Sequence, residues 1–97
     1  MAVRLCLRVF KGDCLVGEHD FDRELIKIGR LASAHLPIDE PKASRVHAAI
    51  QAEASRLSVV DMGSPEGTYL NGKRVNRATA QIGDEVRIGE TRIVIAE

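Results

Sequence analysis

Aromatic side chains are scarce in this chain: two Phe, one Tyr and no Trp among 97 residues. The core must therefore be assembled from Val, Ile, Leu and Ala. The shortage also argues against single-stranded nucleic-acid binding, where bases stack on exposed rings. An excess of either charge is missing too, since Lys plus Arg and Asp plus Glu number 14 each. A duplex-binding domain draws its affinity from a basic excess that neutralises phosphates, so nucleic acid is not the expected partner. Overall balance still permits one locally basic site. No apolar run approaches the ~18 residues of a membrane-spanning helix, so no membrane partner is expected. Residues 1–4 lead straight into alternating sequence without the apolar core of a signal peptide. Cysteine is limited to Cys6 and Cys14. Two thiols make no disulfide scaffold, and the three His form no metal-ligand spacing with them. Both are read as small apolar fillers in a reducing, cytoplasmic setting, and no metal or cofactor is called for.

What is present is ordinary globular composition, 44% hydrophobic and 29% charged, in a length that suits one domain. Residues 1–97 are read as a single unit, monomeric in isolation, and the final strand running almost to Glu97 fits a domain cut from a longer protein. The dominant signal along the chain is period two. From Val3 to Phe10 the odd positions are apolar and Arg4 and Arg8 fall on even ones, which buries one strand face and wets the other. Lys11-Gly12-Asp13 supplies turn chemistry, and Cys14 to Phe21 reads as the returning strand. Leu25 to Ile28, Val46 to Ala54 and Leu57 to Asp61 are further strands, the last two separated by a polar kink at Ser55-Arg56. Thr68-Tyr69-Leu70 and Arg74-Val75 flank Asn71-Gly72, whose residues both tolerate positive φ and signal a hairpin. Glu85 to Ile88 and Thr91 to Ile95 close the chain around Gly89-Glu90. Strands spaced eight to twelve residues apart, with glycine in the turns, point to an all-β sandwich or barrel.

Three polar segments lie between these strands, two of them glycine-bearing: Gly29-Arg30, Ser44-Arg45-Val46-His47-Ala48, and Gly63 to Thr68. Arg30 and Arg45 offer planar forks of donors and Ser44 a hydroxyl, a set that suits a phosphate or carboxylate. Taken singly, each has a bland reading: a solvated Arg at a strand end, a turn Ser bonding its own backbone, a buried His in an apolar strand.

Their order and spacing change that reading. Gly29-Arg30, Ser44-Arg45-x-His47-Ala48, Asp61-x-Gly63-Ser64-x-x-Gly67-Thr68-x-x-Asn71-Gly72 and Gly83-Asp84-x-Val86-x-Ile88-Gly89 together resemble the signature of the forkhead-associated (FHA) domain. The resemblance runs from about Leu25 to the end. It implies an FHA/SMAD-like β-sandwich of about eleven mostly antiparallel strands with binding loops at one apex, and recognition of phosphothreonine in a partner protein, a Ser/Thr kinase substrate. By position, Arg30, Ser44 and Arg45 would hold the phosphate, each charge-assisted bond contributing ~1.5–3 kcal/mol. Lys42, Ser64 and Glu66 would flank the peptide or set its specificity, with Lys42 favouring an acidic residue third after the phosphothreonine. Gly29, His47, Gly67, Thr68, Asn71 and Gly72 would support the site.

The chain departs from the family at one point. Where the family commonly has Ser-Thr-Asn-Gly-Thr, it carries Ser64-Pro65-Glu66-Gly67-Thr68. Pro65 has neither hydroxyl nor backbone N–H, and the Glu66 carboxylate accepts hydrogen bonds but cannot donate them. About 6 Å from an anionic ligand, Glu66 would repel it by roughly 1–3 kcal/mol before screening. This departure supports an alternative, a phosphate-independent assembly module on the same fold. An enzyme is not expected. Ser44, His47 and Asp61 contain the residue types of a hydrolytic triad, but there is no nucleophile elbow, and Gly72-Lys73 is followed by Arg74 rather than Ser or Thr.

Overall fold

The computed structural model describes residues 4–53 and 56–97, which form eleven strands in two sheets. The strands are β1 (Leu5–Lys11), β2 (Cys14–Phe21), β3 (Leu25–Gly29), β4 (Leu36–Pro37), β5 (Ala48–Glu53), β6 (Arg56–Asp61), β7 (Thr68–Leu70), β8 (Lys73–Val75), β9 (Arg77–Ala80), β10 (Glu85–Ile88) and β11 (Thr91–Ala96). One sheet has the order β2-β1-β11-β10-β7-β8 and the other β4-β3-β5-β6-β9. Every pairing is antiparallel except that of β3 with the two-residue β4. The sandwich of the FHA type is therefore the fold, and among the described residues no helix is long and apolar enough to cross a membrane.

Alternation places the core. Leu5, Leu7 and Val9 of β1, Val86 and Ile88 of β10, and Ile93 and Ile95 of β11 turn inward from one sheet, against Ile26, Ile28, Ala48, Ile50 and Val59 of the other. The buried cluster holds only Leu, Val, Ile and Ala, as the lack of aromatics requires. Each such aliphatic side chain contributes about 1.5–3 kcal/mol by leaving water. Small, branched side chains allow the two inner faces to interdigitate at native density without large rings.

Several readings need adjusting. β5 begins at Ala48, because Val46 and His47 belong to the preceding loop; Ala54, Ser55 and Val3 lie outside the described residues. Strands β4 and β9 were not legible as alternation: β4 is two residues ending in Pro37, and Arg77-Ala78-Thr79-Ala80 buries only Ala80 fully. Cys14 is exposed and is not a filler, whereas Cys6 is buried. Burial, then a hydrogen bond with Asp20, pushes the Cys6 thiol above its ordinary pKa.

Candidate functional site

The polar loops converge where β3 and β6 end and β5 begins. As β3 finishes, the Arg30 N–H donates to the Ser44 carbonyl at 3.0 Å and the Leu31 N–H to Arg45 at 3.2 Å. Gly29 makes this approach possible: a Cβ there would collide with the Arg45 carbonyl oxygen and stand 3.0 Å from that of Ser44. Its need for glycine is thus one of space, since its φ is not positive. Arg30 then turns its Nε to the Ala43 carbonyl at 2.6 Å. That bond aims the guanidinium and leaves both terminal nitrogens open. Arg45 is exposed and Ser44 half-buried on the same loop. Among the described residues, neither Arg30 nor Arg45 has a carboxylate within ion-pair distance.

His47 is wholly buried and joins two loops. Its Nδ1 accepts the Ser44 N–H at 3.0 Å, and its Nε2 lies 2.7 Å from the Gly67 carbonyl. A backbone N–H can only donate, so Nδ1 carries no proton and Nε2–H donates to Gly67. With both nitrogens spent on backbone, the imidazole cannot serve Ser44 as a general base. His47 thus ties the Ser44 loop to the Gly67 loop through its ring.

Asp61, which opens the third motif block, organises the third loop. Its Oδ2 accepts the N–H groups of Gly63 and Ser64 at 3.1 and 3.0 Å, and its Oδ1 accepts the Ser64 and Thr68 hydroxyls at 2.5 and 2.7 Å. Burial alone would raise the Asp61 pKa, but these donors outweigh it and hold the carboxyl below its ordinary range. An Asp accepting from the N–H groups two and three residues on is the Asx-turn pattern, legible in Asp61-x-Gly63-Ser64.

Ser64, expected beside the peptide, is instead buried. Its hydroxyl donates to Asp61 and accepts the Gly67 N–H at 3.1 Å, so its side chain locks the loop from within. Thr68 is buried in the same network. Gly67 adopts φ 87°, and Arg74 lies against it, with Nε only 2.6 Å from where a Cβ would stand. Pro65 and Glu66 are exposed at the tip, and the Arg74 Nη2 reaches the Pro65 carbonyl at 3.5 Å.

Asn71 and Gly72 take φ 51° and 86°, as the hairpin signal required. Asn71 braces a neighbouring strand rather than the loops: its Oδ1 accepts the Glu85 N–H at 2.9 Å and its own N–H donates to the Glu85 carbonyl at 2.8 Å. Lys42 is exposed, and its N–H is held by Glu40. Glu40, within Asp39-Glu40-Pro41, belongs to no motif block. It is only 4% exposed, and its carboxylate accepts the Thr91 hydroxyl at 2.8 Å and the N–H groups of Glu90 at 3.1 Å and Lys42 at 3.2 Å. This pins the Lys42 loop to the β10–β11 turn of the opposite sheet. No cluster of His, Cys, Asp and Glu suited to a metal ion occurs among the described residues.

A β-sandwich that presents two arginines and a hydroxyl on braced loops carries the donors that an anion would need. Comparison with known sequences names it: the FHA domain model matches residues 26–89, and the chain belongs to that family. The glycogen accumulation regulator GarA of Mycobacterium tuberculosis is 38% identical over 73 residues, covering 75% of this chain and 45% of its own. An oxoglutarate dehydrogenase inhibitor of Corynebacterium diphtheriae is 37% identical over 76 residues, 78% of this chain and 53% of its own. The chain thus spans about half the length of these relatives. Among solved structures, the FHA domain of a Chlamydia trachomatis protein matches with a TM-score of 0.88 at 22% identity, covering 98% of both chains. Mycobacterium tuberculosis EmbR, solved with a low affinity phosphopeptide, matches at 0.85 and 21% identity, over 96% of this chain and 24% of its own. At such identities these two likenesses show the fold alone.

Proposed function

We propose that the apex formed by Arg30, Ser44 and Arg45 reads phosphothreonine in a protein partner, docking that partner after a Ser/Thr kinase has acted, in the cytoplasm. The observation that carries this reading is the tether from Arg30 Nε to the Ala43 carbonyl. It leaves the two terminal nitrogens of Arg30 beside a loop that offers an unpaired Arg45 and the Ser44 hydroxyl. A phosphate of about −2 charge satisfies such donors better than any neutral group. Membership of the FHA family supports the same reading. Lys42 is exposed at the loop's start, where it would favour an acidic residue in the peptide. The unit acts by binding and not by catalysis, since the candidate base His47 has both nitrogens committed.

The test is titration with a degenerate phosphothreonine peptide pool, its phosphoserine and unphosphorylated counterparts, and an Arg30→Ala control. Micromolar affinity, about −8 kcal/mol, confined to phosphothreonine and lost in the control, is the expected result. Equal binding of all three pools would refute it. A second reading, phosphate-independent assembly, is favoured by the exposed Pro65-Glu66 tip. Phosphatase treatment of a captured partner would spare binding of that kind and abolish the first.

A further inference from the structure

One solvent-facing row of side chains crosses the whole six-stranded sheet. The strand registers place Leu15 opposite Phe10, Phe10 opposite Arg92, Arg92 opposite Arg87, Arg87 opposite Tyr69, and Tyr69 opposite Arg74. Each strand contributes one residue, in the order β2-β1-β11-β10-β7-β8. Their neighbours along the strands, among them Val9, Ile93, Val86, Ile88 and Leu70, face the core, so the row faces outward. Two of the three aromatic residues of the chain stand in it. The Arg92 guanidinium lies over the Phe10 ring at 4.9 Å and that of Arg87 over Tyr69 at 5.0 Å.

Every charged residue within this row is an arginine. In the adjacent row the Glu18 carboxylate pairs with Arg8 at 3.3 Å and the Glu85 carboxylate with Arg92 at 2.8 Å. Arg87 and Arg74 have no carboxylate partner among the described residues. Arg87 and Arg92 moreover sit directly opposite one another on neighbouring strands, an arrangement of like charges that costs stability. At its β8 end the row reaches the Pro65–Gly67 loop through Arg74, so it is continuous with the apex.

We infer that this row is a second binding surface, which takes an extended acidic segment of a protein partner across the outer face of the six-stranded sheet. Carboxylates suit it because each unpaired guanidinium offers a bidentate fork stiffened by an underlying or neighbouring ring. Nucleic acid suits it poorly, because both rings already carry a guanidinium on one face. Six strands about 4.8 Å apart span roughly 24 Å, which seven or eight extended residues bridge.

The experiment is a two-dimensional NMR titration of the labelled chain with an unphosphorylated eight-residue peptide of alternating Glu and Ser. Because the probe lacks phosphate, its outcome is separate from that of the phosphothreonine reading. Expected are amide shifts centred on Tyr69, Arg74, Arg87 and Arg92, and binding weakened about tenfold or more by Arg87→Glu. Lys27→Glu, on the other sheet, should change it less than about twofold. The tenfold loss corresponds to about 1.4 kcal/mol. Should Arg87→Glu disturb the spectrum of the free protein, the neutral pair Arg74→Gln with Arg87→Gln replaces it, with the same loss expected. Shifts centred on Arg30, Ser44 and Arg45, equal effects of Arg87→Glu and Lys27→Glu, or no saturation at millimolar peptide would each overturn the inference. So would tighter binding of a single-stranded oligonucleotide to the same row.

Discussion

Removing the Glu40 carboxylate should destabilise the protein more than any exposed charge would. The side chain is 4% exposed and takes hydrogen bonds from the Thr91 hydroxyl and from the Glu90 and Lys42 N–H groups. In Glu40→Ala all three donors lose their acceptor, and each buried orphan costs ~1–3 kcal/mol. The Lys42 and Glu90 amides lie near the surface, where water can replace part of the loss. A net cost of about 3 kcal/mol follows, a large share of the ~5–15 kcal/mol that holds a typical domain together. For a chain of this length that corresponds to a melting temperature lower by about 12–24 °C. Glu40→Gln keeps shape and one acceptor oxygen but turns an amide NH2 towards the Lys42 N–H, at a cost of about 1–2 kcal/mol. The pH dependence follows from the same geometry. Burial alone would raise the Glu40 pKa, yet the donors, helped by the Lys11 charge, hold it below its ordinary range. A carboxyl whose pKa is lowered on folding stabilises fully above its unfolded-state pKa, about 4.3 for Glu, and loses that contribution as pH falls through the folded value. Urea denaturation at pH 7 and below pH 4 should therefore show the wild type losing stability on acidification and Glu40→Gln losing less of it. A Glu40→Ala variant within ~1 kcal/mol of wild type at pH 7, or a Gln variant with an unchanged acid limb, would refute the reasoning.

Three further outcomes are expected. Glu66→Asn removes a carboxylate from the apex and restores a donor, so calorimetry with a phosphothreonine peptide should show binding tighter by about twofold to tenfold, the unscreened ~1–3 kcal/mol being cut by solvent. His47→Ala deletes the link between Ser44 and Gly67, leaves a cavity and two unpaired backbone groups, and should cost about 3–4 kcal/mol in denaturant melts. Gly29→Ala should cost more than ~2 kcal/mol and also weaken peptide binding, because its Cβ must push the Arg45 carbonyl away; a melt unchanged from wild type would contradict the close approach.

Much of this molecule could be read without coordinates. Period-two alternation and turn signals such as Asn71-Gly72 located nine of the strands, and the scarcity of rings foretold an aliphatic core, because all are properties of local sequence. The motif spacing carried the placement of Gly29, Arg30, Ser44, Arg45 and His47, since loop residues with special geometry recur at set intervals from the strands that support them. Strands β4 and β9 escaped because short, half-exposed segments carry no periodicity; only pairing with β3 and β6 makes them strands. Ser64 was expected beside the peptide and Glu40 gave no signal, because nothing nearby in sequence reveals what lies across the fold. Glu40 meets Thr91 from 51 residues away, and Arg74 meets the Pro65–Gly67 loop through the register of a hairpin. The cationic row across the six-stranded sheet belongs to the same class. Residue order determined which side chains alternate outward, but only the strand order β2-β1-β11-β10-β7-β8 decided which of them stand side by side. Alternation is dictated by backbone geometry within one strand, whereas adjacency depends on register between strands distant in sequence.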